Sequence, residues 1–466
     1  MLQDGRVRIQ GVERGFKISI IEGFVSVFAS ALSGSMIIPF FIRLGAGAEE
    51  LGLYTALTMA LVPPSQFLAA LILDRWRANR LKLMTFCALA ARLKWLLMAA
   101  IASGLGGGLK EAMVLNIALL PLENLAGLAW SDLIADLVDP AIRGRAFALR
   151  NTILGLASML GFTTAVAIYS LPYPLGYIYG FALGAVLLVA TVPLLYLYGD
   201  PIKPSGGASL RLALKAVDWR VTLMDSAAMA AWNSSVSLVG AIWTYHLFNV
   251  IGADESWVAL LNVAASLTRM VTNVIWGKAY DRFGPKGVVK LAGPWIALIP
   301  AAFPHLRSLS GQLGLQVYAT FLWTGFSLAA FNYAISVDPA YRHVYIAVYN
   351  SIPALASSAS SYVGALVYER YGIVAFYISG VARLAALALL MRIISGRGVK
   401  YEELNLSANF YRLMFVSRDL VAYAAVEIFY AVKLIYAVFI LLFLSWLLFT
   451  VYYVALKLIG SFPLKP

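Results

Sequence analysis

Asp139-Pro140-Ala141-Ile142-Arg143 heads one apolar stretch, and Asp338-Pro339-Ala340-Tyr341-Arg342 heads another 199 residues later. The likeness runs on without a gap: Ala148, Asn151, Ile153, Leu156, Ala157 and Ser158 match Ala347, Asn350, Ile352, Leu355, Ala356 and Ser357. Ten of twenty aligned positions are identical. A shorter pair, Asp74-Arg75 and Asp281-Arg282, echoes the same duplication, each ending one apolar segment and opening the next. A chain built twice from one plan predicts two parallel halves, the internal symmetry that membrane carriers use.

The setting of the repeat is a membrane. The chain is 61% hydrophobic and 13% charged, with a mean hydropathy of +0.80, where soluble domains are about 25% charged. Crossing a hydrocarbon core takes about 20 apolar residues per helix, and such runs recur along the sequence. Helices satisfy their backbone within one segment, and the alternation of a membrane β-barrel is absent, so the expected fold class is all-α and polytopic. The net charge of +13 reads as lysine and arginine that hold loops on one side of the bilayer, not as a nucleic-acid surface.

Other chemistries find no support in the sequence. Cys87 is the sole cysteine and allows no internal disulfide. His246, His305 and His343 lack metal-ligand spacing. There is no phosphate-cradling Gly-x-x-x-x-Gly-Lys-Ser/Thr loop and no His-Glu-x-x-His. The expectation is a non-enzymatic protein without cofactor or metal. Met1 is followed by a polar stretch, so no removable signal peptide is expected.

Twelve spans are predicted at 16–43, 51–73, 81–103, 112–137, 146–170, 174–198, 219–249, 255–278, 287–306, 312–336, 345–368 and 371–392, with a thirteenth near 434–458. With the N-terminus placed in the cytoplasm, the inner segments of the first twelve spans carry 23 lysines and arginines and the outer loops carry 4. That bias predicts a multi-pass protein of the cell membrane with a cytoplasmic N-terminus. Residues 199–218, with Asp200, Pro201, Lys203, Pro204, Ser205, Gly206 and Gly207, read as a cytoplasmic linker. It separates a six-helix half at 1–198 from a second at 219–395. Residues 396–466 form an extension, read as an interfacial helix followed by the thirteenth span.

Two six-span halves, with an acidic-basic loop after spans 2 and 8, resemble the major facilitator superfamily. Gly277-Lys278-Ala279-Tyr280-Asp281-Arg282-Phe283-Gly284-Pro285-Lys286 is similar to that family's loop motif, Gly-x-x-x-Asp-Arg-x-Gly-x-Lys/Arg. The first copy keeps Asp74 and Arg75, but Ala70 and Arg77 replace its glycines. The resemblance covers residues 1–395. It implies secondary active transport of a small solute by alternating access, with spans 1, 4, 7 and 10 around a central cavity. The matched loop residues Asp74, Arg75, Gly277, Asp281, Arg282 and Gly284, with Arg143 and Arg342 of the repeat, are then expected to gate. Two positions depart from the family. Glu123 stands where the fourth span often carries an arginine linked to proton coupling, and Phe162 follows Gly161 where many antiporters have Gly-Pro. A typical proton-coupled drug exporter is therefore not expected.

Ionisable groups inside a membrane mark functional sites by default. Glu123 lies near the middle of span 4, beside Asn124 and two residues after Pro121. A partly desolvated carboxyl group there either exchanges protons for transport or bonds a neighbouring helix. Arg269, mid-span 8, reads as a contact to a substrate carboxylate, a partner for Glu123, or an inter-helix pair. Trp232 and Asn233 in span 7, with Trp323 and Thr324 in span 10, suit a small-molecule pocket or plain packing. Asp225 and Glu22, nearer the inner surface, read as gating charges. The serines of span 11 and the glycines of span 6 read as close packing. Arg92 and Lys94 in span 3 have no role that the sequence discloses. The expected partners are a small-molecule substrate, protons as candidate coupling ion, and the lipid bilayer. The alternative is a ligand- or lipid-binding membrane sensor or assembly subunit that moves nothing.

Overall fold

Hydrocarbon offers no partner to a backbone amide, so each crossing segment closes its own hydrogen bonds. Accordingly, helices are the only regular structure among the described residues. The computed structural model describes residues 14–75, 79–137, 143–199, 214–338 and 341–394. The expected thirteenth span and the rest of the extension lie outside them. The described residues belong to one compact unit, Met1–Glu402.

The helical rods follow the predicted spans closely. Span 1 is Arg14–Gly34 continued by Ile37–Arg43, and span 2 is Ala48–Arg75. Span 3 is Arg80–Arg92 with Lys94–Ala102, span 4 Leu109–Asp136, and span 5 Arg143–Tyr169. Span 6 is Leu175–Ala190 with Val192–Tyr196, and span 7 is Trp219–Ser237 with Gly240–Asn249. Span 10 is Leu309–Ile335, span 11 Arg342–Tyr371, and span 12 Val374–Ile393. Where the connections are described, short turns make successive rods antiparallel. The proximal end of the bundle holds Arg14 and Ile393, and the distal end holds Arg43 and Val374. Nine stretches of the described helices are long and apolar enough to cross a membrane.

Spans 8 and 9 differ from expectation. Instead of a loop across 279–286, helix runs from Glu255 to Ala302 and is interrupted at Gly284, at φ 66° and ψ −175°. That conformation is essentially restricted to glycine. One residue therefore parts two spans that the sequence separates by eight. Span 2 stays helical through Pro63 and Pro64.

Spans 7 and 11 fall outside the nine apolar stretches, and their polarity is spent on neighbours. The Ser358 hydroxyl donates to the Ala56 carbonyl of span 2, and the Ser360 hydroxyl to Ser234 of span 7. In lipid the hydrophobic effect does not drive helix against helix, so close packing and such bonds carry the cohesion. Gly161 lets span 5 lie on the Phe28 carbonyl of span 1, and Gly364 lets span 11 lie on the Leu238 carbonyl of span 7. The same pairing thus recurs in each half. Between the halves, span 2 packs on span 11, and span 5 on the helix of spans 8 and 9.

Candidate functional site

Each half encloses a polar cavity, and the two differ in how their charges are balanced. The first, of about 490 Å³, is bounded by spans 1, 3, 4, 5 and 6. Arg92 and Lys94 flank the break of span 3 at Leu93, and both line this cavity. Arg92 donates to Glu22 Oε1 at 2.7 Å, to the Leu188 carbonyl at 3.0 Å and to Thr191 Oγ1 at 2.6 Å. Span 6 breaks at Thr191, and the guanidinium serves the polar groups exposed there. Glu22 is buried and also accepts from Ser26 Oγ at 2.5 Å and Tyr198 OH at 2.9 Å. Lys94 pairs with Glu123, whose side chain keeps 35% of its surface open while that of Lys94 keeps 8%. Arg150, 7% exposed, lies 4.6 Å from the centre of the Trp130 ring.

The second cavity, of about 870 Å³, is bounded by spans 7, 8, 9, 10 and 12. Arg269 of span 8 and Arg383 of span 12 both line it, and no Asp or Glu among the described residues does. Arg269 is exposed within the cavity and has no hydrogen-bond or ion-pair partner among the described residues. Arg383 is 3% exposed. One of its nitrogens donates to the Ile296 carbonyl at 3.2 Å, and its Nε has no partner. Trp243, Trp323 and Phe331 supply aromatic wall, and Asn273 and Gln316 supply amides.

The predicted pocket residues thus fall in different places. Glu123 lines the first cavity. Arg269, Trp323 and Thr324 line the second. Trp232 is fully buried behind it, stacked 4.5 Å from Phe326 and 6.0 Å from Trp323. Asn124 donates to Ser65 Oγ of span 2 at 2.6 Å. Asn233 is half-buried on span 7. The partner found for Glu123 is Lys94, on the adjacent helix, not Arg269.

The predicted gating residues are also dispersed. Asp225 is buried and accepts from Tyr333 OH at 3.0 Å and Tyr345 OH at 2.7 Å. Arg342 opens span 11 and donates from Nε and Nη2 to the Val337 carbonyl, at 3.2 and 3.0 Å, just past the end of span 10. Gly284 forms the break already described, and Gly277 lies about two turns before it, in helix. Arg75 and Asp281 are exposed, and the Arg282 guanidinium lies over the Phe283 ring at 5.2 Å. The side chains of Asp74 and Arg143 lie outside the described set.

Sequence reasoning gave no role to four of the charges that now stand out. Arg92, Lys94 and Arg383 carry the same signal as Arg269, an ionisable group inside an apolar run. The fourth, Glu255, is joined across the halves to a residue 212 positions away. Arg43 Nε and Nη2 meet Glu255 Oε1 and Oε2 at 2.6 and 3.0 Å, and Tyr177 OH joins Oε1 at 2.8 Å. At the same distal end Tyr362 OH donates to Glu49 Oε1, and the Glu49 amide to Glu369 Oε1, both at 2.9 Å. Beneath these contacts an apolar cluster joins Leu32, Met36 and Phe40 of span 1 to Ala241 of span 7 and Ala259 of span 8.

Comparison with known proteins gives a consistent family. The family model described as Major Facilitator Superfamily matches residues 23–361. A D-xylose–proton symporter structure superposes with a TM-score of 0.61 at 16% identity, covering 83% of this chain and 99% of that one. A nucleoside transporter gives 0.61 at 13% identity, covering 82% and 100%. A bacterial homologue of the iron transporter ferroportin, in its inward-facing state, gives 0.60 at 16% identity, covering 82% and 98%. At these identities the superpositions speak for the fold. No protein of curated function matches the sequence.

Proposed function

The chain belongs to the major facilitator superfamily, and on that premise we propose how it works. It is a multi-pass membrane protein and a secondary transporter of a small solute. The proposal concerns the cycle. The two halves rock about the bilayer mid-plane and expose their cavities to one side at a time. The protein sits in the cell membrane with its proximal end in the cytoplasm, in keeping with the lysine and arginine bias of the proximal loops. The distal contacts through Glu255 then hold the outward path shut.

The observation that carries the reading is the form of the distal junction. It is made of a few polar contacts over an apolar cluster, with no covalent link. Such a junction separates and reforms at a cost of a few kcal/mol, which substrate or proton binding can supply. Protons are the candidate coupling ion through Glu123. Its carboxylate is partly open to the first cavity and holds Lys94, so adding a proton removes the charge that retains the lysine.

Uptake into liposomes tests the cycle. A solute panel is measured for counterflow and for accumulation under an imposed pH gradient, with wild type and Glu123→Gln. The expected result is gradient-driven accumulation in wild type and counterflow alone in the variant. Accumulation by Glu123→Gln with unchanged gradient dependence would sink the proton role. Saturable binding with no counterflow by wild type would sink the transport cycle and leave a sensor.

A further inference from the structure

We propose that the second-half cavity is an anion site and that the transported solute is a small organic carboxylate with an apolar or aromatic body. The inference rests on the reading of the chain as a carrier and adds the substrate class. It starts from a contrast between the halves. In the first half Arg92 has Glu22 and Lys94 has Glu123, while the third cation, Arg150, lies over the Trp130 ring. In the second half Arg269 and Arg383 face one cavity with no carboxylate among the described residues of its wall.

A guanidinium removed from water needs an opposite charge or a full set of acceptors. Arg383 is 3% exposed, yet the bond recorded for it is the one to the Ile296 carbonyl, and its Nε has none. It forms no ion pair among the described residues. Arg269 presents its guanidinium to the same space without a protein partner among those residues. Two cations that converge on one cavity, one buried and under-bonded, fit a ligand that brings the missing negative charge. A carboxylate accepts from a guanidinium fork through two oxygens. Trp243, Trp323 and Phe331 give the remainder of the ligand apolar surface, the usual division of labour in a small-molecule pocket. A phospholipid headgroup offers similar anionic chemistry, so the experiment separates the two sources.

The full chain is placed in phosphatidylcholine nanodiscs, and thermal unfolding is followed with benzoate, phenylacetate, lactate and glutarate. Phenylacetamide and phenethylamine serve as the neutral and cationic counterparts of phenylacetate. The expected result is stabilisation by at least one acid and none by the amide or amine. Arg269→Gln and Arg383→Gln should each weaken that acid roughly tenfold, the loss of one charge-assisted contact. Arg370→Gln, at the distal surface, should leave it unchanged. If Arg383→Gln does not fold, Arg269→Gln decides alone, because its side chain is already exposed.

Equal response to acid and amide, no response to any acid, or full acid binding by Arg269→Gln overturns the assignment. Arginine-dependent stabilisation by phosphatidylglycerol and by none of the acids makes the ligand a lipid headgroup and overturns the solute assignment too. Counterflow in liposomes keeps the two readings apart. Acid binding without flux removes the carrier and leaves the site. Flux of neutral solutes without acid binding removes the site and leaves the carrier.

Discussion

Glu22 illustrates how a carboxylate persists inside an apolar bundle. Its two oxygens take donors from Arg92, Ser26 and Tyr198, so its charge is neutralised and its lone pairs are used. Removing one member of such a buried pair leaves the other exposed to a low dielectric, at a cost of about 3 kcal/mol. Glu22→Gln and Arg92→Gln are each expected to lower stability by about that amount. The double replacement Glu22→Met/Arg92→Met should cost less than the two single losses together, because no stranded charge remains. Thermal unfolding of the three variants in detergent measures this; strictly additive losses would mean that the pair is not coupled. Lys94 and Glu123 are more open, and solvent screening makes their stability contribution smaller. That difference suits them to exchange partners during a cycle, whereas Glu22 and Arg92 hold spans 1, 3 and 6 together.

At the scale of the helix, glycine decides where backbones touch and where they turn. An alanine Cβ at Gly364 would overlap the Leu238 carbonyl at the break of span 7, and one at Gly161 would overlap the Phe28 carbonyl of span 1. Neither clash is relieved by rotating a side chain. Gly364→Ala is expected to lower stability by about 1–3 kcal/mol, as over-packing does, and to slow transport by forcing spans 7 and 11 apart. Gly314→Ala, in span 10, is the control, since nothing lies within 4 Å of its added methyl. Uptake rate and unfolding midpoint of both variants provide the comparison, and equal behaviour would refute the close-packing role. Gly284 acts differently. Its positive φ ends span 8 and starts span 9 in a single residue, which explains why a loop motif appears here as two helices end to end.

For the whole molecule, the Glu255 junction adds a distal link to the packing of span 2 on span 11 and of span 5 on the helix of spans 8 and 9. Arg43 keeps 44% of its side-chain surface open and Glu255 keeps 7%, so the pair contributes modestly, about 1 kcal/mol. Glu255→Gln should therefore shift the balance toward the distal-open state by roughly fivefold. The shift is readable with a single cysteine at Ser30, an exposed residue of the first cavity, in a Cys87→Ala background. A membrane-impermeant maleimide added on the distal side should label Ser30→Cys faster in the Glu255→Gln protein. Unchanged or slower labelling would show that this junction does not close the path. The two cavities are not equivalent despite the shared plan. The first holds two ion pairs, Glu22 with Arg92 and Glu123 with Lys94, whereas no carboxylate among the described residues lines the second, so the two linings differ on a similar helical scaffold.

The repeat at Asp139 and Asp338, the run lengths and the hydropathy determined the architecture by themselves. Bilayer thickness sets helix length, and an unsolvated backbone leaves helix as the local solution; both are one-dimensional constraints readable along a chain. Outside the joint of spans 8 and 9, the described span ends therefore fell within a few residues of prediction, and Glu123 and Arg269 stood out as charges within apolar runs. What the sequence left open depends on rotation about each helix axis and on partners far along the chain. It could not place Trp232 behind the cavity wall, turn Asn124 toward Ser65, or give Glu123 to Lys94. It could not bring Arg383 and Arg269 to one cavity or Arg43 against Glu255. In a membrane nearly every face of a helix is apolar, so periodicity does not reveal which face is buried. Only the packed bundle decides which charges meet each other and which are left to meet a ligand.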